Sequence, residues 1–563
     1  MQNLADGRDL VIRNARVHTQ NPDQPGASSL LIRDGRIAQV SEQPIEAAGA
    51  MVVDAGGATV VPGFNDVHAH SVWFGLTKLE LDVSIAADVD HLYDLIAQRA
   101  AADADAAAAA GRGDGNSDGG DWIIAAGFNH ISLGERYPDR DRLDRAAGGR
   151  PVWLKHNSGH AAFVNGAALG LIAERSDLSA PIEGGVVVRD ENGRPTGLLE
   201  ENAMALVQQL ALPYPTETIV QALDLATRHY LGEGITSVTD AGIAGGWIGY
   251  SPREFGAYQE ARDRGILHTR MQPMFVIDAL HRIAGHADDP RALGLDGGIR
   301  TGFGDDWLQL GPVKIFSDGS LLGSTAAMTE HYAGCPGNHG YLQESPESLR
   351  ERALGAYASG WSIAIHAIGD SAIDHVIDII DEAQRLFGRR RVPNRIEHAA
   401  VVREDQLARI AELGIAVTPQ PYFLHEFGDA LIERLGRERE PQLYRARTFL
   451  DSGIVLPGSS DRPVADGNVL AAIQSFVERK SAAGNVIGAP ERITAAEALA
   501  AYTLGSARAT GLASSRGSLE PGKLADLVVL GDDPLAVDSS RIGGIEVVAT
   551  MVDGSFAHGA DRF

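Results

Sequence analysis

Val60-Val61-Pro62-Gly63-Phe64-Asn65-Asp66-Val67-His68-Ala69-His70 is the stretch whose reading decides the fold. Apolar residues lead through a Pro-Gly turn into a short strand-like run that ends in His-x-His. On a strand, residues i and i+2 point to the same side. His68 and His70 can therefore offer two imidazole nitrogens to one metal ion. A bare His-x-His is a weak signal. It gains weight from the ionisable residues that recur further along the chain.

From about residue 216 helical and strand-like stretches alternate. Strand candidates lie at 235–240, 271–277, 313–316, 362–368, 395–398, 416–419 and 454–457, with helical runs such as 371–387 and 404–413 between them. Alternation of this kind indicates an α/β protein with a parallel sheet. With the strand before His68 the count is eight, which predicts a closed (β/α)8 TIM-like barrel whose site sits at the C-terminal strand ends. Lys314, His366, His398 and Asp461 each arrive at such an end. Isolated ionisable groups among apolar strand residues are costly to bury unless paired or metal-bound. One histidine of this kind is readily a hydrogen-bonded core residue. Four histidines and an aspartate arriving in step point to a site.

The flanks read differently. Residues 9–60 carry short strand runs with an Asp34-Gly35 hairpin signal. Further strand runs follow near 522–530 and 545–552, and the two ends predict one small β-sandwich built from both termini. The expected domains are 1–60 and 511–563 for that sandwich and 61–510 for the barrel, with an inserted segment at about 80–215. The Ala-rich and then Gly/Asp-rich run from Ala100 to Gly120 reads as a helix end followed by an exposed loop.

Hydrophobic content of 44% and charged content of 22% suit a globular protein, and the net charge of −26 argues against nucleic acid and anionic membranes as partners. No apolar run approaches the ~20 residues that span a bilayer. The first residues lack the pattern of a secretory signal. Cys335 is the only cysteine, so a reducing compartment suffices and a cytoplasmic location is expected. Five lysines (Lys78, Lys155, Lys314, Lys480, Lys523) stand among 49 basic residues. Where arginine fills nearly every basic position, each lysine invites the question of what arginine could not do there.

The motifs Pro62-Gly63-Phe64-Asn65-Asp66-Val67-His68-Ala69-His70, Val313-Lys314-Ile315-Phe316-Ser317-Asp318-Gly319-Ser320, His366-Ala367-Ile368-Gly369-Asp370, Ile396-Glu397-His398 and Gly458-Ser459-Ser460-Asp461 resemble the amidohydrolase superfamily of metal-dependent (β/α)8 hydrolases. The branch is amidohydrolase 3, which includes the N-substituted formamide deformylases. The resemblance implies that His68 and His70 bind one divalent ion and His366 and His398 a second. It implies that Lys314 bridges them as a carbamate made with carbon dioxide, a role needing an uncharged primary amine that arginine cannot supply. Lys314 paired with Asp318, over a single metal, is the other reading. Zn2+ is the expected ion, as one or two per chain, lowering the pKa of a bound water. Asp461 would take that water's proton and pass it to the leaving amine, and His398 or His366 could instead orient the carbonyl. His160 and Asn165 match a motif of the inserted region and are candidate substrate contacts, as is Asp318. The run Asn157-Ser158-Gly159-His160 departs from the Asp-Gly-His type of many relatives, so substrate preference does not transfer with it.

The function implied is hydrolysis of a non-peptide C–N bond, of amide or N-formyl type, in a small molecule. Deamination of an amino-substituted ring and a non-catalytic regulatory or binding role are the alternatives, and a homo-oligomer is compatible with all three. No Gly-x-Ser-x-Gly context surrounds any serine, which disfavours serine nucleophile chemistry.

Overall fold

The computed structural model describes residues 9–109, 122–182, 184–246, 248–283 and 292–562. The chain divides into two compact units. The first comprises Met1–His70, Thr227–Ile243 and Ala261–Phe563, and the second Ser71–Ala226 and Ala244–Glu260.

In the first unit the early strands are β1 (Leu10–Arg13), β2 (Arg16–His18), β3 (Gly26–Ala27), β4 (Ser29–Arg33), β5 (Arg36–Ser41), β6 (Met51–Asp54), β7 (Thr59–Pro62) and β8 (Phe64–Ala69). The Asp34-Gly35 turn joins β4 to β5 as an antiparallel pair, with both turn residues at positive φ, as a tight hairpin turn requires. β5, β4, β1 and β6 form a four-stranded sheet.

The second unit holds β9 (Leu81–Asp82), β10 (Ile123–Phe128), β11 (Val152–His156), β12 (Ala161–Val164), β13 (Gly185–Arg189) and β14 (Pro195–Glu201), paired in the order β13-β14-β12-β11-β10-β9. The helix Val89–Ala109 takes in the Ala-rich run. The Gly/Asp-rich half read as a loop falls at 110–121, outside the described residues.

Returning to the first unit, β15 (Ile235–Asp240) and β16 (Arg270–Met271) pair in parallel with β8 in the order β16-β15-β8. A short ribbon of β17 (His281–Ile283) and β18 (Ala292–Gly294) follows. Then β19 (Val313–Phe316), β20 (Ile363–Ala367), β21 (Arg395–His398) and β22 (Ala416–Thr418) form a second parallel sheet in sequential order. The alternation of parallel strands with helices is as read from sequence. Among the described residues, however, the two parallel sheets are arcs and do not join into one closed sheet. The expected strand at 271–277 is cut to β16, with only isolated bridges besides it, Met271 to Leu308, Phe275 to Ile243 and Val276 to Lys314. The expected strand at 454–457 makes no ladder, only isolated bonds such as Val417 N–H to Val455 O at 3.2 Å and Val67 N–H to Gly458 O at 3.1 Å. Proline explains both gaps: Pro273 and Pro312 flank one, Pro419 and Pro457 the other, and proline has no N–H to give a ladder.

β23 (Leu527–Leu530), β24 (Val547–Val552) and β25 (Ser555–His558) complete the chain's strands. The single small β-sandwich expected from both termini is not what the sheets show. Strands from both ends share a six-stranded sheet, β25-β24-β23-β7-β2-β3, whereas the four-stranded sheet draws on early strands alone. Leu10, Ile12, Leu30 and Ile32 of the smaller sheet lie in one apolar cluster with Val17, Val60, Leu527, Val529 and Met551 of the larger. β7 thus links the terminal sheet to β8 through Gly63. A Cβ at Gly63 would come within 2.1 Å of Thr236 Oγ1 on β15, so glycine is what allows the two strands to approach.

Candidate metal centre

β8 is buried along its whole length, and its alternation turns His68 and His70 to one side. Asp461 meets them. Its Oδ1 lies 3.2 Å from His68 Nε2 and 3.0 Å from His70 Nε2, and the three ligand atoms lie within 4.8 Å of one another. All three residues are buried.

The other nitrogen of His68 is held by Glu397. His68 Nδ1 bonds to Glu397 Oε2, and that carboxylate receives both arms of Arg395, at 2.6 and 2.9 Å. Arg395 Nη2 also donates to Val67 O at 2.8 Å, one residue before His68. Burial works to raise the Glu397 carboxyl, but Arg395 and His68 outweigh it and hold it well below the carboxylate range. An ionised Glu397 fixes the proton of His68 on Nδ1 and turns the Nε2 lone pair inward, the usual arrangement behind a metal-binding imidazole. His68 Nε2 is buried and makes no hydrogen bond. Burial likewise opposes ionisation of Asp461, and His68 and His70 overcome it, so the carboxyl sits well below its ordinary value.

His398 and His366 stand beside this group. The His398 ring centroid is 4.9 Å from that of His68 and 4.5 Å from that of His366. His398 Nδ1 faces Gln420 Oε1 at 2.8 Å, and Gln420 Nε2 donates to Thr418 O and Ser459 Oγ. With the amide so oriented, the network assigns the His398 proton to Nδ1 and the lone pair to Nε2. Burial pushes His398 down to about 3, so the ring is neutral. His366 Nε2 lies 3.0 Å from Gly319 O, which assigns its proton to Nε2 and the lone pair to Nδ1. Lys314 is buried on β19 with Nζ 4.7 Å above the Phe316 ring. Burial lowers its amine to about 8, against the pull of Glu397 and Asp461.

Backbone strain collects here. His398 has φ +71°, Ala399 +43° and Asp461 +59°, a region that costs a non-glycine residue about 1–3 kcal/mol. The surrounding bonds hold it: Asp461 N–H donates to His68 O at 2.7 Å, and Asp66 accepts the backbone N–H groups of both His68 and Ser460 at 3.1 Å.

The remaining expected residues are committed elsewhere. Asp318 accepts three backbone N–H groups, from Ala327, Ile368 and Gly369, at 2.8–3.0 Å, and so fastens the loops after β19 and β20. Asn165 caps the helix Gly166–Ala173. Its Oδ1 accepts from Val152 N and Ala168 N, and its Nδ2 donates to Arg150 O. His160 pairs through Nδ1 with Glu201 Oε2 at 2.9 Å, and it and Asn165 belong to the second unit. Four supporting residues were given no role by the sequence reading: Asp66 and Glu397, which stand within its motifs, and Arg395 and Gln420. The signal for two of them was present, since Arg395-Ile396-Glu397-His398 places an arginine and a glutamate at i and i+2 on a fully buried four-residue strand.

Two inward imidazole nitrogens and a carboxylate oxygen, one nitrogen lacking any hydrogen bond, fit a divalent transition ion. Comparison with known proteins agrees. A model of the amidohydrolase family matches residues 51–558. Protein LONG AFTER FAR-RED 3 of Arabidopsis thaliana is 32% identical over 97% of this chain and 91% of its own length. The N-substituted formamide deformylase of Arthrobacter pascens is 30% identical over 97% of this chain and 98% of its own. Among solved structures, an uncharacterized metal-dependent hydrolase from Pyrococcus horikoshii aligns with TM-score 0.72 and 25% identity, covering 95% of this chain and 99% of that one.

Proposed function

Because the chain belongs to the amidohydrolase family and is a metal-dependent hydrolase of carbon–nitrogen bonds, we propose that it cleaves a non-peptide amide or N-formyl bond in a small molecule, giving a carboxylic acid and an amine. The observation that carries this reading is Asp461 Oδ1 within 3.0–3.2 Å of the two imidazoles of β8. His68, His70, His366 and His398 would hold one or two divalent ions, Zn2+ by donor set, with a carbamate on Lys314 between them; a neutral Lys314 near pH 8 favours that modification. When bound, such an ion polarises a carbonyl and makes water acidic.

The chain's own residues do the rest. Asp461, ionised and buried, takes a proton from the attacking water as the water oxygen bonds to the carbonyl carbon. It returns that proton to the nitrogen as the C–N bond breaks. Water and amide are consumed, acid and amine released. His398 and His366 present lone pairs at Nε2 and Nδ1, the form a metal ligand needs, which supports ligation over hydrogen-bonding the carbonyl. The fold that would go with this reading is an eight-strand barrel over 61–510, interrupted at about 80–215, of which the two parallel arcs β16-β15-β8 and β19-β20-β21-β22 would be parts. A cytoplasmic enzyme suits the single exposed Cys335.

The test is turnover of metal-loaded enzyme against N-formyl, N-acyl, cyclic-amide and aminoaryl compounds. Amine release from the first two is expected, and ammonia release confined to the aminoaryl set would replace hydrolysis of an amide with deamination. Asp461→Asn should keep bound metal and lose about 10²–10⁴-fold in kcat. A near-normal kcat would remove Asp461 as the proton carrier.

A further inference from the structure

The ring protons of His366 and His398 are committed to Gly319 O and Gln420 Oε1, so a second group to donate a hydrogen bond to the carbonyl oxygen is sought outside them. We propose that the hydroxyl of Tyr444 is that donor: a catalytic residue that hydrogen-bonds the substrate oxygen as it gains negative charge. The proposal rests on the hydrolase reading above and adds to it a group outside the ligand set.

Tyr444 lies where the loops leaving the candidate strands meet. It packs in one apolar cluster with Leu321 beyond β19, Ile368 beyond β20, Ala400 beyond β21 and Ala465 beyond Asp461. Its backbone is stitched to the exit of β21. The Tyr444 N–H donates to Ala400 O at 2.8 Å, two residues after His398, and Val402 N–H donates to Gln442 O at 3.1 Å. Leu443 bridges Val401 between them. From the other side Arg479 Nη1 donates to the Tyr444 carbonyl at 2.8 Å.

So braced, Tyr444 holds φ at +46°, a left-handed conformation that a bulky residue adopts only under constraint. The residue is 3% exposed, and no hydrogen bond joins its hydroxyl to another described residue. The oxygen is not among the fully enclosed atoms that lack a partner, so it keeps an accessible side that a substrate oxygen can approach, where a buried tyrosine hydroxyl ordinarily meets a protein group. Strain and an unmet hydroxyl thus fall on one residue, beside a His398 and an Asp461 that are strained in the same sense. Burial, with the Asp461 charge adding to it, also holds the phenol protonated far above its usual range, so it keeps a proton to share at any working pH. A fixed, partnerless donor is what an oxyanion requires, because nothing has to reorganise when charge appears.

The test compares wild type with Tyr444→Phe, both metal-loaded, using two anions and one amide: methylphosphonate, which is tetrahedral, acetate, which is planar, and formanilide. Phenylalanine fills the same space and removes an unmet hydroxyl, so the melting temperature should hold or rise. By calorimetry the variant should bind methylphosphonate at least about tenfold more weakly and acetate within about threefold of wild type, and kcat on formanilide should fall about 10²–10³-fold. Equal affinities of variant and wild type for methylphosphonate, or equal losses for both anions, would overturn the role of Tyr444 and leave the hydrolase reading intact. A wild type inert to every amide, yet losing methylphosphonate through Tyr444→Phe, would keep the donor and remove the hydrolase reading. A wild-type complex with methylphosphonate gives a check without any variant. A phenol oxygen within about 3 Å of a phosphonate oxygen supports the proposal, and one beyond hydrogen-bond range defeats it.

Discussion

Glu397 serves two neighbours at once, as the anchor of His68 Nδ1 and the counter-charge of a buried Arg395. Glu397→Gln should therefore do two separable things. Metal affinity should fall about 10–100-fold as the hold on His68 loosens, read by equilibrium dialysis with Zn2+. Stability should fall by about 3–5 kcal/mol because a buried guanidinium loses its partner, read by denaturant unfolding. A titration in the second unit is independent of any metal. His156 Nε2 lies 3.1 Å from His130 Nδ1 and its Nδ1 2.8 Å from Ser158 Oγ, and burial, then His130 and His160, push it down to about 4. An unfolded histidine titrates near 6.5, so between pH 6.5 and 4 the unfolded chain holds a proton that the folded chain lacks, and stability falls as pH falls. The loss at pH 5 is on the order of 2 kcal/mol. Melting curves at pH 7.5 and 5 should show it in wild type and much less in His156→Gln. At this scale the sequence revealed the residues that end strands, because a polar group breaking an apolar run is visible in one dimension. It hid Gln420 and Asp66, whose work depends on which loop each one faces.

The elements were legible wherever periodicity was clean. β15, β19, β20, β21 and β22 stand close to where alternation placed them, and the helices Asp370–Phe387 and Glu404–Leu413 match their apolar spacing. Reading failed at 271–277 and 454–457, where the apolar content was right and proline denied the ladder its N–H groups. Asn165 was read for chemistry because it sits in a family motif, and in the structure its amide caps a helix and braces Val152 and Arg150. The Pro62-Gly63 turn is the junction at which element geometry is tightest. Gly63→Ala would drive a methyl to 2.1 Å from Thr236 Oγ1, and overpacking of this kind costs about 1–3 kcal/mol. Thermal unfolding should register that loss, and Thr236→Ala should recover part of it by removing Oγ1 and Cγ2.

At the scale of the whole molecule, metal and fold should be coupled, since the candidate cluster joins His68 on β8 to Asp461, almost 400 residues later in the chain. Stripping divalent ions with a chelator should lower the melting temperature reversibly, because an ion at 100 times its dissociation constant stabilises the folded state by about 2.7 kcal/mol. An unchanged melting temperature after verified metal removal would mean that the site stands without an ion. Composition and charge spoke rightly of a globular chain, and among the described residues no helix is long and apolar enough to cross a membrane. The return of 244–260 to the second unit has no local mark in the sequence, because it depends on contacts between segments far apart in the chain. The pairing of β7 with β23, Val61 opposite Val528, has a consequence for biosynthesis. At about 5–20 residues per second, a ribosome needs roughly 20–90 s to travel from one strand to the other. For all that time β7, which leads straight into His68 and His70, is a nascent strand with its final neighbour still unmade. The histidine-bearing segment is synthesised early and secured late, and during that interval the edge of β7 that β23 will cover stands open to pairing with other strands.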